Sequence, residues 1–169
     1  MAILEILEYP DAMLCKPVLP VTDINGDLQQ KIDDMAQTMY HAPGVGLAAS
    51  QVGINQCFLV YDVSPRDDKR ALHVLINPRI ICQEGEVLSE NEGCLSVPDY
   101  RSDVVRFSQI QVEGMDRDGK PLSIAAGGYL AIVLQHEIDH LQGILFIDRI
   151  SVLKRNLYKK RIKKRLKLA

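Results

Sequence analysis

"LQHEIDHLQG", residues 134–143, decides how the chain is read. His136 and His140 stand four residues apart. On a helix, such positions project from one face, about 6 Å apart, and can grip one ion. Glu137 lies about 100° further round the helix. It sits beside the ion as a general base should, without having to bind it. The apolar run "GGYLAIVL" leads into the motif, and Gly143 is a natural helix stop. A catalytic ion with an open position takes three protein ligands, so one is missing from the helix.

Downstream sequence does not supply it. One large protease pattern adds a glutamate on a following helix, but the only acid after His140 is Asp148. Another extends to H-E-x-x-H-x-x-G-x-x-H. Here Gly143 is kept, but Phe146 holds the last place and cannot ligate. The upstream candidates are His41, His73 and the cysteines at 15, 57, 82 and 94. His73, in "ALHVLI", reads as a strand histidine. His41 suits a helix C-terminus. Cys57 and Cys82 lie in apolar strands and read as buried small hydrophobes. Cys15 has no ligand-like neighbour. Cys94 stands in the polar stretch "ENEGCLSVP", directly after a glycine that lets the backbone approach an ion or substrate closely. The pattern favours Cys94 and leaves the others open.

The rest of the chain frames this helix. With 169 residues, 47% hydrophobic and 25% charged, it fits a single soluble domain over 1–169. No apolar run is long enough to cross a membrane. The start, "MAILEILEYPDAML", lacks a basic region and does not read as a signal peptide. Four unevenly spaced cysteines point to reduced thiols and a cytoplasmic location. Leu28, Ile32, Met35 and Met39 recur at helical spacing, with Asp27 as N-cap and Pro43-Gly44 as the end. "QCFLVYDV" and "ALHVLINPRII" read as strands around the polar turn "SPRDDKR". Asp118-Gly119 marks a hairpin. The expected fold is α+β, with mixed or antiparallel sheets packed around a central metal-binding helix and further helices at both ends.

Three stretches taken together, "GVGLAASQ" (44–51), "EGCLS" (92–96) and "QHEIDH" (135–140), resemble the three signature motifs of the peptide deformylases, in the expected order. The resemblance implies an enzyme that removes the N-formyl group from the N-terminal methionine of new polypeptides and releases formate. It implies one divalent ion on Cys94, His136 and His140, Fe(II) in the cell, with zinc, nickel or cobalt replacing it in preparations. The ion makes hydroxide available near neutral pH. Glu137 then moves the proton from the water to the leaving amine. The resemblance further assigns the Gln51 amide and the Leu95 N–H to the developing oxyanion, and Gly44, Val45 and Gly46 to strand-like pairing with the peptide. Gly93 offers its carbonyl to the new amine, and Arg101 lies near the substrate path. The methionine side chain needs an unbranched apolar slot. Helical spacing places Tyr129, Ile132 and Val133 on the His136 face to line it. The competing readings are an H-E-x-x-H peptidase, which the missing downstream ligand opposes, and a non-catalytic module with a structural ion. A structural ion would call for four ligands.

Charge is uneven. Residues 154–169 hold nine Lys or Arg and no acid, which leaves a net charge of −11 on the remainder. A basic helix is expected over about 152–169, with Leu153, Leu157, Ile162 and Leu166 as an apolar stripe on the body. The resemblance implies that this helix docks on the ribosome. Deleting it from about Lys159 is expected to spare turnover of a short peptide. Neither DNA nor a membrane is expected as a partner.

Overall fold

Phe58, Leu59, Val60 and Tyr61 form one short strand, β2 (Phe58–Tyr61), and all four are buried. Successive strand residues face opposite sides, so burial of all four requires cover on both. The computed structural model, which describes residues 1–168, supplies it. Phe58 and Val60 pack with helix α1 (Gly26–His41), through Leu28, Ile32, Met35 and Met39. Leu59 and Tyr61 pack with helix α2 (Gly128–Leu141), through Ala131, Leu134, Ile138 and Leu141. Between the helices lies an antiparallel sheet in the order β1 (Gly46–Ala48), β2, β3 (His73–Glu84), β6 (Gln109–Met115), β7 (Pro121–Gly127). The fold is α+β with the metal-motif helix at its centre, as expected.

The cap of α1 falls two residues earlier than Asp27. The Asn25 side chain accepts from the Leu28 N–H at 3.0 Å. Asp27 instead pairs with Lys31 at 2.8 Å. The hairpin at Asp118-Gly119 forms between β6 and β7, with Gly119 at φ 83°. Gly143 ends α2 at φ 77°, where a Cβ would lie 2.6 Å from the Lys16 nitrogen. Cys82 is exposed rather than buried, because the far end of β3 runs beyond the cover of the helices.

The strands of the second sheet were not placed from the sequence. Strands β4 (Val87–Cys94) and β5 (Val97–Arg106) form a two-stranded hairpin that carries "ENEGCLSVP". Polar residues on its buried side, Ser89, Glu92 and Arg106, and apolar Leu88 and Val105 on its exposed side hide the strand pattern. A third core lies under it, where Leu14, Val97, Val104, Phe146 and Ile147 meet helix α3 (Val152–Leu168). The anchors of α3 are Tyr158 and Ile162, the two buried residues of that helix. The expected leucine stripe is therefore wrong except at Ile162: Leu153, Leu157 and Leu166 are 70%, 59% and 54% exposed. A step of five residues turns a helix by about 140° past a full turn, so the four positions cannot share one face.

Candidate active site

One cleft of about 920 Å³ is lined by Cys94, His136, Glu137 and the expected substrate-contacting residues, with His140 buried behind it. Each wall has a separate origin. Pro43 follows the end of α1, and the segment Gly44–Val45 that comes next lines the cleft together with Gly46, the first residue of β1. The hairpin β4–β5 presents Gly93, Cys94, Leu95 and Arg101. Helix α2 presents Tyr129, Ile132, Val133, His136 and Glu137. Val133 is buried, Ile132 half-buried, and Tyr129 exposed at the rim.

At the floor, the donor atoms of Cys94, His136 and His140 all lie within 4.8 Å of one another. His140 Nε2 is 3.2 Å from both Cys94 Sγ and His136 Nε2. Tetrahedral bonds of about 2.0–2.3 Å would space such donors about 3.3–3.6 Å apart. The chemistry agrees with the spacing. His136 Nδ1–H donates to Glu92 Oε1 at 2.7 Å, which turns the Nε2 lone pair toward the other two donors. Three electron-rich atoms facing one point fit a bound cation. The other upstream candidates are placed elsewhere. His73 stacks on Tyr61 with centroids 5.0 Å apart, and His41 closes α1. Cys57 packs on the core beneath α2, and Cys15 is exposed.

Sequence reasoning missed the support beneath the ligands. Glu92 is held by Arg106, whose Nε donates to Oε2 at 3.2 Å and whose Nη2 pairs with Oε1. Arg106 Nη1 also reaches Asp139 Oδ2 at 2.8 Å, and Arg149 binds the same carboxylate at 2.5 and 2.7 Å. Burial alone would raise the Glu92 carboxyl, but hydrogen bonds from His136 and Arg106 outweigh it and hold the group at about 2. The signal was present: Glu92 stands two residues before Cys94, and Asp139 lies inside the helical motif.

Glu137 is placed differently. Burial pushes its carboxyl up to about 7. Its Oε2 is buried and has no hydrogen-bond partner among the described residues. It lies against β1 so closely that a Cβ on Gly46 would stand 2.8 Å from Oε1. Gln51 is buried at the end of a 3-10 turn (Ala49–Val52), and its Oε1 accepts from the Ala48 N–H at 3.0 Å. That fixes the amide so that Nε2 faces Ser96 Oγ at 3.1 Å and Cys94 Sγ at 3.7 Å.

An α+β fold enclosing a partly buried Cys-His-His cation site, with a carboxyl poised near neutral pH beside it, defines a metal-dependent hydrolase. Comparison with known proteins narrows the class. A family model described as polypeptide deformylase matches residues 3–156. The peptide deformylase of Desulfosudis oleivorans is 54% identical over 169 residues, which cover 100% of this chain and 98% of that one. The crystal structure of a Legionella pneumophila peptide deformylase superposes with a TM-score of 0.89 at 45% identity, covering 99% of this chain and 97% of that one. The Ehrlichia chaffeensis enzyme in complex with actinonin gives 0.90 at 36% identity, covering 98% of each chain. The chain belongs to the polypeptide deformylase family, enzymes that take the N-formyl group off the N-terminal methionine of polypeptides.

Proposed function

We propose that residues 1–169 act as one catalytic domain in which Cys94, His136 and His140 hold a single divalent ion, Fe(II) in the cell. Zinc, nickel and cobalt suit the same donors. The observation that carries this reading is the convergence of the three donor atoms beside the unpartnered Glu137 oxygen. When bound, the ion supplies Lewis acidity at the floor of the cleft.

This chain's own groups do the rest. Glu137, with its carboxyl near 7, takes a proton from the attacking water and returns it to the leaving amine nitrogen. The Gln51 Nε2–H and the Leu95 N–H stabilise the oxyanion that forms at the formyl oxygen. The Gly93 carbonyl receives the new amino group. Strand β1 pairs with β2 on one side only and is the last strand of its sheet, so the peptide adds along its free edge at Gly46 and along Gly44 and Val45 just before it. The Val45 carbonyl already accepts from the Asp62 N–H at 2.9 Å, which leaves the pairing to the neighbouring backbone groups. Ile132 and Val133 bound the methionine slot, Tyr129 closes its rim, and Arg101 stands over the onward path.

The substrate is a nascent chain, which places the work in the cytoplasm. Among the described residues no helix is long and apolar enough to cross a membrane. The exposed Lys and Arg of α3 suit the phosphates of ribosomal RNA. Anaerobic purification with metal analysis, followed by formate release from a formyl-methionyl tripeptide, tests the reading. Stoichiometric metal with no formate released would overturn it.

A further inference from the structure

The cleft wall formed by Asp99, Tyr100 and Arg101 is not held by its own hairpin alone. Asp99 sits at φ 60°, a left-handed conformation that a non-glycine residue keeps only when its surroundings hold it there. Part of that hold comes from α3. Arg161 Nη2 donates to the Asp99 carbonyl at 3.1 Å. The same guanidinium lies 5.7 Å from the centroid of the Tyr100 ring and 5.4 Å from that of Tyr158. Tyr100 in turn packs 4.8 Å from Tyr158 and 6.1 Å from Phe146, whose ring stacks on His136 at 6.3 Å. Arg165 also approaches the Asp99 carboxylate, but at 3.8 Å with both groups largely exposed, and such a pair contributes little. The hydrogen bond and ring contacts of Arg161 are the effective tie.

We infer that Arg161 positions the Asp99–Arg101 wall of the cleft, so that a polyanion engaging the basic face of α3 changes how the site holds the peptide beyond its methionine. Asp99 and Arg101 are exposed at the rim, while Ile132 and Val133 lie deeper. The wall therefore meets residues after the methionine, not the formyl end. Arg161 belongs to two surfaces at once. Phosphates that draw its guanidinium outward must release the Asp99 carbonyl. By linkage, peptide and polyanion then weaken each other.

The inference rests on the deformylase reading, and its test separates the two. Kinetics are measured on a formyl-methionyl tripeptide and on formylmethionine amide, which has no residue beyond the methionine. Arg161→Met keeps apolar packing on the two rings but loses the donor; it should raise the tripeptide KM roughly three- to tenfold at constant kcat, the range of one lost charge-assisted hydrogen bond weakened by its exposed site. The amide should be unaffected and Tm unchanged. Arg161→Lys, which can still donate to the carbonyl, should recover part of the loss. A short RNA duplex should raise the tripeptide KM of the wild type and leave that of Arg161→Met unchanged. An unchanged KM in Arg161→Met overturns the inference, and so does an equal loss on both substrates with a lowered Tm. RNA that fails to bind by anisotropy, or binds without moving KM, overturns the linkage. Failure of the wild type on both substrates would instead overturn the deformylase reading.

Discussion

Helices α2 and α3 carry charge in opposite ways. On α2, Glu137, Asp139 and His140 are buried and His136 nearly so. Asp139 and His136 are fixed by named partners, whereas Glu137 Oε2 has none among the described residues. On α3 the charges are basic and mostly face solvent, while Tyr158 and Ile162 do the packing. A charge taken out of water has to be paired, and removing its partner costs far more than the pair itself contributes. A solvated charge has no such dependence. Dependence on particular charge partners is therefore concentrated in α2 and weak along α3.

The sharpest way to break this contrast lies at Cys94. Cys94→Ala should abolish both metal retention and turnover, while Cys15→Ala, Cys57→Ala and Cys82→Ala keep the metal. Elemental analysis of the four variants checks it, and metal kept by Cys94→Ala but lost in another would transfer the ligand role. Next comes Glu137→Ala. It should keep the metal and lose kcat by roughly 10²-fold or more, the scale of general acid–base catalysis. Loss of metal in that variant would make Glu137 a ligand instead.

Arg106→Leu leaves Glu92 without its guanidinium and should cost about 3–5 kcal/mol in urea unfolding. It should also alter the pH dependence. Glu92 is depressed from its usual 4.5 to about 2, so its contribution is complete above 4.5 and is lost as pH falls toward 2. Stability curves of Arg106→Leu should be flatter across that window, and an unchanged slope would remove Glu92 from the acid limb. The smallest effect on chemistry belongs to α3. A Lys160→Glu, Lys163→Glu, Lys164→Glu triple variant should turn over a short formyl peptide within about twofold of wild type. It should still sediment less with ribosomes, with a shallower salt dependence. These substitutions are cleaner than deletion from Lys159, which would strip the buried Ile162 and the Arg161 tie.

What could be read in the sequence followed the same division. The α1 stripe was legible because Leu28, Ile32, Met35 and Met39 meet one flat sheet face, which imposes a clean helical period. The site helix was legible because its ligands are local in sequence. The hairpin β4–β5 was not, since Ser89, Glu92 and Arg106 are polar groups on its inner side that only the fold pairs or covers. Cys94 stood out by its glycine and polar setting, but elimination alone left its rivals standing. The stripe on α3 misled because leucines on a basic helix look like an anchor, whereas Tyr158 and Ile162 supply it.

The contact between Gly46 and Glu137 limits where this cleft can change under selection. A compound that mimics the peptide and lies along β1 presses on a floor one backbone thick. A side chain added at position 46 would have to displace the Glu137 carboxyl, because a Cβ there would stand 2.8 Å from its Oε1. Resistance by steric exclusion at that point would therefore disturb the catalytic group itself. The positions free to vary are those at the rim, Val45, Arg101 and Tyr129, whose side chains reach solvent. An inhibitor that draws its binding from the floor and leaves the rim alone would leave this protein few single-step escapes.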